Sequence, residues 1–226
     1  MRERSLLIGD IRFQFRYGFY YLYLVFAVLY SGLLLALPDG WRERIALVMI
    51  FTDPAAMGLY FMGAIVLYEK SERVLNSIAI SPVRTWEYVI SKLISIAVVS
   101  VAVALIVGAV GGLRSPLRVV AGVLPGSVMF SAVGLMLAAN IVSLNRFVIA
   151  TIPAEILINL PAIAWIFGWQ PGAMILHPGV CIVEIIVGGP QALPAVPILL
   201  AWTALAVFGA CRAMDKSLRS LGGVKL

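Results

Sequence analysis

Six long apolar runs alternate with short polar connectors along this chain: Phe19–Leu37, Ile45–Leu67, Leu93–Leu113, Val119–Val142, Phe147–Trp169 and Leu193–Cys211. A bilayer core of about 30 Å takes roughly 20 apolar residues in a helix. The runs are continuous rather than alternating, which predicts helices and excludes the period-two pattern of a membrane strand. Two polar interruptions stand out. Tyr68–Lys92 separates the second and third runs, and Gln170–Ala192 separates the fifth and sixth. The latter contains the breakers Pro171, Gly172, Pro178, Gly179, Gly188, Gly189 and Pro190, with short apolar pieces at 173–176 and 180–187. These pieces are too short to span, and predict interfacial or re-entrant helices covered by protein.

Composition supports a lipid environment. Hydrophobic residues make up 62% of the chain and charged residues 12%, and the mean hydropathy is +1.02. A soluble domain is nearer half apolar and a quarter charged. The excess of Lys and Arg, 17 against 11 acidic residues, then reads as the charge bias of cytoplasmic loops rather than as a nucleic-acid surface. Six spans place both termini on one side. That side collects 13 basic residues, from Arg2, Arg4, Arg12 and Arg16 to Arg212, Lys216, Arg219 and Lys225, while Arg42, Arg44, Arg114 and Arg118 fall opposite. Both termini are therefore expected in the cytoplasm, and the protein in the cell membrane. Cys181 and Cys211 make no disulfide framework, and the single histidine, His177, excludes a His-rich metal centre.

Tyr68–Lys92 is then the largest internal cytoplasmic feature. It carries seven charges, Glu69, Lys70, Glu72, Arg73, Arg84, Glu87 and Lys92. Its apolar positions Val74, Leu75 and Ile78 keep a helical spacing over Glu69–Ala79. Ser81-Pro82 breaks that helix, because the residue before a proline leaves the α region. Ser81 as N-cap and Pro82 as first residue predict that the next helix starts there. It should run past the interfacial aromatics Trp86 and Tyr88 into the third span. A short helix fixed between two spans presents an apolar ridge to a cytoplasmic partner and can transmit a push.

The run from Asp53-Pro54 to Lys92 resembles the type-2 ABC permease pattern. Pro54 lies near the outer start of the second span, and Glu69 at its cytoplasmic end. A charged coupling helix over Glu72–Ala79, the Ser81-Pro82 corner and Lys92 at the head of the third span follow. The span count and the broken outer segment also match. Family members often carry Gly in the coupling helix, where this chain has Val74-Leu75-Asn76. The resemblance implies an exporter-like membrane subunit acting as a homo- or heterodimer above two cytoplasmic ABC ATPase subunits. Glu69, Glu72, Arg73, Val74, Leu75, Ile78, Ser81 and Pro82 would form the coupling contact. No G-x-x-x-x-G-K-[ST] phosphate loop occurs, and there is no Gly-Lys pair. ATP and Mg are accordingly expected on the partner, with no cofactor bound by this chain and no enzymatic activity of its own.

Residues 1–18 carry Arg12 and Arg16 on one stripe and Leu7, Ile11 and Phe15 on another, which predicts an amphipathic interfacial helix on membrane lipids. Glu155 lies about 13 Å into the fifth span at 1.5 Å per residue, with Asn159 one turn on and Pro153 and Pro161 flanking. An ionisable group at such depth marks a cavity or pathway by default; the competing reading is a structural carboxylate bonded to a hydroxyl or a freed backbone N–H. Asp53 is a further pathway candidate, although Thr52 or Asp53 also reads as a cap for a helix restarting at Pro54. Glu184 in the outer segment reads as an ordinary water-facing carboxylate, with the lining of an exit as the alternative. The G-x-x-x-G matches at Gly108–Gly112 and Gly122–Gly126 point only to close helix packing.

The fold expected is all-α and polytopic: six spans over 19–211, an N-terminal interfacial helix, a coupling helix at 69–79, an outer re-entrant segment at 170–192 and a basic tail at 212–226. The function expected is ATP-driven export of a small amphiphile, such as a drug, lipid or natural product. A secondary transporter or a non-transporting scaffold or sensor subunit are the alternatives.

Overall fold

The computed structural model describes residues 9–12, 14–52 and 57–221, and every element among them is helical. In chain order they are α1 (Phe19–Ala36), α2 (Asp39–Ile50), α3 (Met57–Ser71), α4 (Val74–Ala79), α5 (Thr85–Gly111), α6 (Pro116–Asn140), α7 (Leu144–Ile166), a 3₁₀ turn (Gly172–Leu176), α8 (Pro178–Val187) and α9 (Ala192–Leu221). Residues 9–12 and 14–16 are also helical.

Four described helices are long and apolar enough to cross a membrane, namely α5, α6, α7 and α9. The first expected span reaches that mark only when α1 is joined to the helical segment before it, across a 65° bend. The second expected span, Ile45–Leu67, is not one helix. It is divided between α2 and α3, with a π turn at residues 51–52. Thr52 Oγ1 donates to the Val48 carbonyl at 2.8 Å, which closes the end of α2. Pro54 has no N–H to continue the helix; Asp53 and Pro54 themselves lie outside the described residues.

Helix α6 is the hub, packed against α3, α5, α8 and α9. Small residues make this possible. A Cβ on Gly134 would collide with the backbone of Leu59 in α3, and one on Gly58 with Ser131. Gly122 and Gly126 receive Ile186 and Ile182 of α8, so this G-x-x-x-G pair serves packing within the chain. Gly111 does the same for Ala46 of α2. Between α5 and α6, the buried hydroxyls of Ser100 and Ser127 pair at 3.0 Å.

Helix α8 is buried along Pro178–Ile186 and touches α6, α7 and α9. Both short pieces of the expected outer segment thus fold as helices, and the second is covered by protein. The final helix runs unbroken from Ala192 to Leu221. Residues 212–221 therefore continue it rather than forming a separate tail, and 222–226 lie outside the described residues. At one end of the bundle, Asp10 meets α5, the end of α9 meets Thr85 through Asp215 at 3.2 Å, and α4 packs on α9. The opposite end holds the α1–α2 corner, where Arg42 bonds the carbonyls of Leu34 and Leu37 and pairs with Asp39.

Candidate coupling and pathway sites

The charged stretch between α3 and α5 differs from its expected geometry in two ways. The helix over Glu69–Ala79 is broken at Arg73, which takes a left-handed conformation at φ 58°. Helix α3 carries Glu69 and Lys70 in its last turn, and α4 keeps six residues. A long-range contact lies just before the break. Lys70 Nζ reaches the carbonyls of Ala138, Ala139 and Ile141 at 2.7, 2.8 and 3.0 Å. These lie at the C-terminus of α6, where carbonyls lack helical donors and the helix dipole favours a cation.

Secondly, α5 begins at Thr85, not at Pro82. The Arg84 N–H donates to the Glu87 carboxylate at 2.8 Å, so Glu87 closes the first turn. Ser81 instead stabilises the corner: its hydroxyl donates to the Ile78 carbonyl at 2.8 Å and accepts from the Val83 N–H at 3.3 Å. Pro82 is exposed beside it.

The apolar ridge of α4 is split. Leu75 is 1% exposed and seats the helix against the bundle, and Ile78 is half-buried. Val74 faces out, as does Ile80 just past the helix, at 84% exposure. Glu72 and Arg73 are exposed.

Glu69 points inward. Its Oε1 pairs with Lys92 Nζ at 2.6 Å and its Oε2 accepts from the Tyr88 hydroxyl at 2.5 Å. Lys92, 2% exposed, also binds Asp10 Oδ1 at 2.9 Å. Asp10 Oδ2 accepts from the Ser91 hydroxyl, and Gln14 Nε2 donates to the Ser95 hydroxyl at 2.7 Å. This buried network ties the N-terminal segment to the adjoining ends of α3 and α5. The interfacial reading of residues 1–18 attends to Leu7, which lies outside the described residues, and to Arg12, Arg16, Ile11 and Phe15. The last four are exposed, while the polar stripe Asp10–Gln14, also spaced i, i+4, makes the inward contact. The carboxylate of Asp10 four residues before Gln14, within a basic amphipathic segment, was the available signal for it.

In the fifth run, Glu155 and Asn159 lie on α7 and are half-buried. The Tyr60 hydroxyl of α3 donates to Glu155 Oε2. Asn159 Oδ1 is buried and accepts no hydrogen bond among the described residues. The structure thus joins Glu155 to a hydroxyl, as the structural reading expects, while leaving an open acceptor one turn away. An apolar pocket of about 410 Å³ opens between α6, α7 and α9, with Met129, Met136, Leu157, His177 and Trp202 in its wall.

His177 sits beside this pocket for a local reason. Pro161 deprives the Leu157 carbonyl of its helical N–H. His177 Nε2 lies 3.1 Å from that oxygen. A carbonyl only accepts, so Nε2 carries the proton. Burial holds the His177 pKa below the usual imidazole value, partly offset by this bond.

Glu184 does not face water as expected. It is 5% exposed, accepts from Trp165 Nε1 at 3.1 Å and from the Gln191 N–H at 3.0 Å, and lies in α8.

Apolar membrane-length helices, a short helix mounted on one end and a covered helical insert near the other define a multi-pass, all-helical membrane protein. Comparison with known proteins narrows the class. Residues 2–190 match the fluoroquinolones export permease protein family, and the chain belongs to that family. Two Mycobacterium tuberculosis proteins, from strains CDC 1551/Oshkosh and ATCC 25618/H37Rv, are both named fluoroquinolones export permease protein. Each is 28% identical over 172 residues, covering 75% of this chain and 73% of the relative. The membership agrees with the resemblance to type-2 ABC permeases and makes this chain a membrane transport permease.

Proposed function

We propose that this chain is the membrane subunit of an ATP-driven exporter of aromatic amphiphiles, working with separate cytoplasmic ABC ATPase subunits that bind ATP and Mg. A second permease copy or a homologous permease completes the pathway. In this reading α1, the broken pair α2–α3, α5, α6, α7 and α9 make six crossings. The end holding Asp10, α4 and Asp215 faces the cytoplasm, residues 1–18 lie on membrane lipids, and α8 is re-entrant from the outer side.

The observation that carries the reading is the mounting of α4. Leu75 is buried beneath it while Ile80 stays bare and Val74 partly exposed. The Ser81 corner and the Glu69–Lys92 pair join it to two neighbouring helices. A push on such a helix is delivered to α3 and α5. Export of an amphiphile suits the relatives' names and the methionine- and tryptophan-walled pocket between α6, α7 and α9, since thioethers and aromatic rings adapt to varied apolar ligands. Glu155 and Asn159 are assigned to the pathway and Asp53 to its outer end; their polar groups lie in otherwise apolar runs.

The test is co-purification of the chain with its ATPase. Ile80→Asp and Val74→Asp should leave membrane insertion intact and abolish both ATPase recovery and ATP-driven efflux of norfloxacin. Leu75→Asp should act differently, lowering the amount of folded permease, because it buries a charge under α4. Wild-type recovery of the ATPase by Ile80→Asp and Val74→Asp together would reduce α4 to a connector.

A further inference from the structure

A pocket of about 270 Å³ lies at the end of the bundle opposite α4, between α2, the end of α7 and α8. Glu43, Arg44 and Gln170 form its exposed rim, and Leu47, Trp165 and Glu184 are buried in its wall. Glu184 has no Lys or Arg at ion-pair distance among the described residues. Its two donors, the Trp165 indole and the Gln191 amide, are neutral. They fill two of about four acceptor positions on a carboxylate and leave it out of direct contact with a cation, with Arg44 on the same pocket and the Arg118 guanidinium against Gly188 beyond ion-pair reach. A buried carboxylate without a counter-ion is costly.

Its position raises the cost further. Glu184 lies in the last turn of α8, where its own carbonyl takes the Gly188 and Gly189 N–H groups that close the helix. That is the negative end of the helix dipole, which disfavours an anion. Stapling the following loop needs only hydrogen-bond acceptors. The charge calls for a cation.

We propose that this pocket binds the ammonium group of an aromatic amphiphile, with Glu184 as counter-ion, Glu43 reinforcing the field at the rim and the Trp165 ring edge against the ligand's apolar body. Arg44 on the same rim gives a carboxylate at the other end of such a molecule its partner, so the pocket suits zwitterions. The inference rests on the export reading above and gives that pathway an outer binding station of defined charge.

The experiment uses the full chain in lipid nanodiscs, with empty nanodiscs as the partition control. The probes are norfloxacin, which carries a piperazinium and a carboxylate, and nalidixic acid, which has the carboxylate without the ammonium. Wild type should bind norfloxacin saturably and at least about tenfold more tightly than nalidixic acid, as expected of a site built around a polar partner. Glu184→Gln should remove that preference while nalidixic acid binding stays unchanged, and the rim variant Glu43→Gln should weaken norfloxacin by about two- to threefold. Equal binding of both probes by wild type, no saturable binding, or full norfloxacin affinity in Glu184→Gln overturns the inference. The first two outcomes need no variant to fold. ATP-driven norfloxacin efflux by wild type with its ATPase, measured in parallel, judges the export reading separately: efflux with unaltered Glu184→Gln binding sinks the site alone, and absent efflux sinks the export reading.

Discussion

Lys92 and Glu69, 23 residues apart in the chain, meet at 2.6 Å inside the protein, with Asp10 on the other side of the ammonium at 2.9 Å. One cation thus bridges two carboxylates from two separate segments. The pair also fixes the end of α3 relative to the start of α5, on either side of α4.

Removing the cation should be severe. Lys92→Met leaves buried Glu69 and partly buried Asp10 with only the hydroxyls of Tyr88 and Ser91 and no cation, which costs about 3–5 kcal/mol when a buried pair is broken from one side. Thermal unfolding in detergent should show a large drop. Adding Glu69→Gln and Asp10→Asn should recover much of it, because neutral groups no longer need the ammonium. A Lys92→Met protein as stable as wild type would mean that the network is open to water.

The crossing of α3 and α6 makes a steric prediction. A methyl at Gly134 has no room against the Leu59 backbone, whereas one at Gly32 meets nothing within 4 Å. Gly134→Ala should therefore destabilise by about 1–3 kcal/mol, the usual range for overpacking, and Gly32→Ala should be neutral or slightly stabilising. Equal melting temperatures for the two variants would contradict the close approach.

The His177–Leu157 bond gives a pH dependence. Burial holds the folded pKa of His177 below its unfolded value of about 6.5. The unfolded chain then binds the proton more readily, so this contribution is fully present above about pH 6.5 and is lost as pH falls towards the lower folded pKa. Melting temperature should decline between pH 7.5 and 5. His177→Gln, which keeps a donor for the Leu157 carbonyl, should reduce that slope. An unchanged slope would assign the acid sensitivity to other groups.

The sequence by itself determined the class. Long continuous apolar runs can satisfy their backbone in lipid only as helices, and α5, α6, α7 and α9 fall within or around the expected runs. The family resemblance was carried by the ordered polar landmarks Glu69, Ser81-Pro82 and Lys92, whose spacing is local. The break at Ser81-Pro82 was legible for the same reason, since proline acts on its own neighbours. The start of α5 at Thr85 was not, because it depends on Glu87 reaching back to the Arg84 amide.

Only the tertiary structure decided which polar groups turn inward. Glu69 and Glu184 look alike on paper, each a carboxylate near an apolar run; one finds Lys92 and the other only neutral donors. Leu75 and Val74 are adjacent apolar residues on α4, yet one is buried in the bundle and the other exposed. Lys70 is drawn onto carbonyls some 70 residues away, and the helix expected over 69–79 breaks at Arg73 next to it. Periodicity specifies the face of a helix; whether that face meets lipid, water or a partner carboxylate depends on helices brought together from far along the chain.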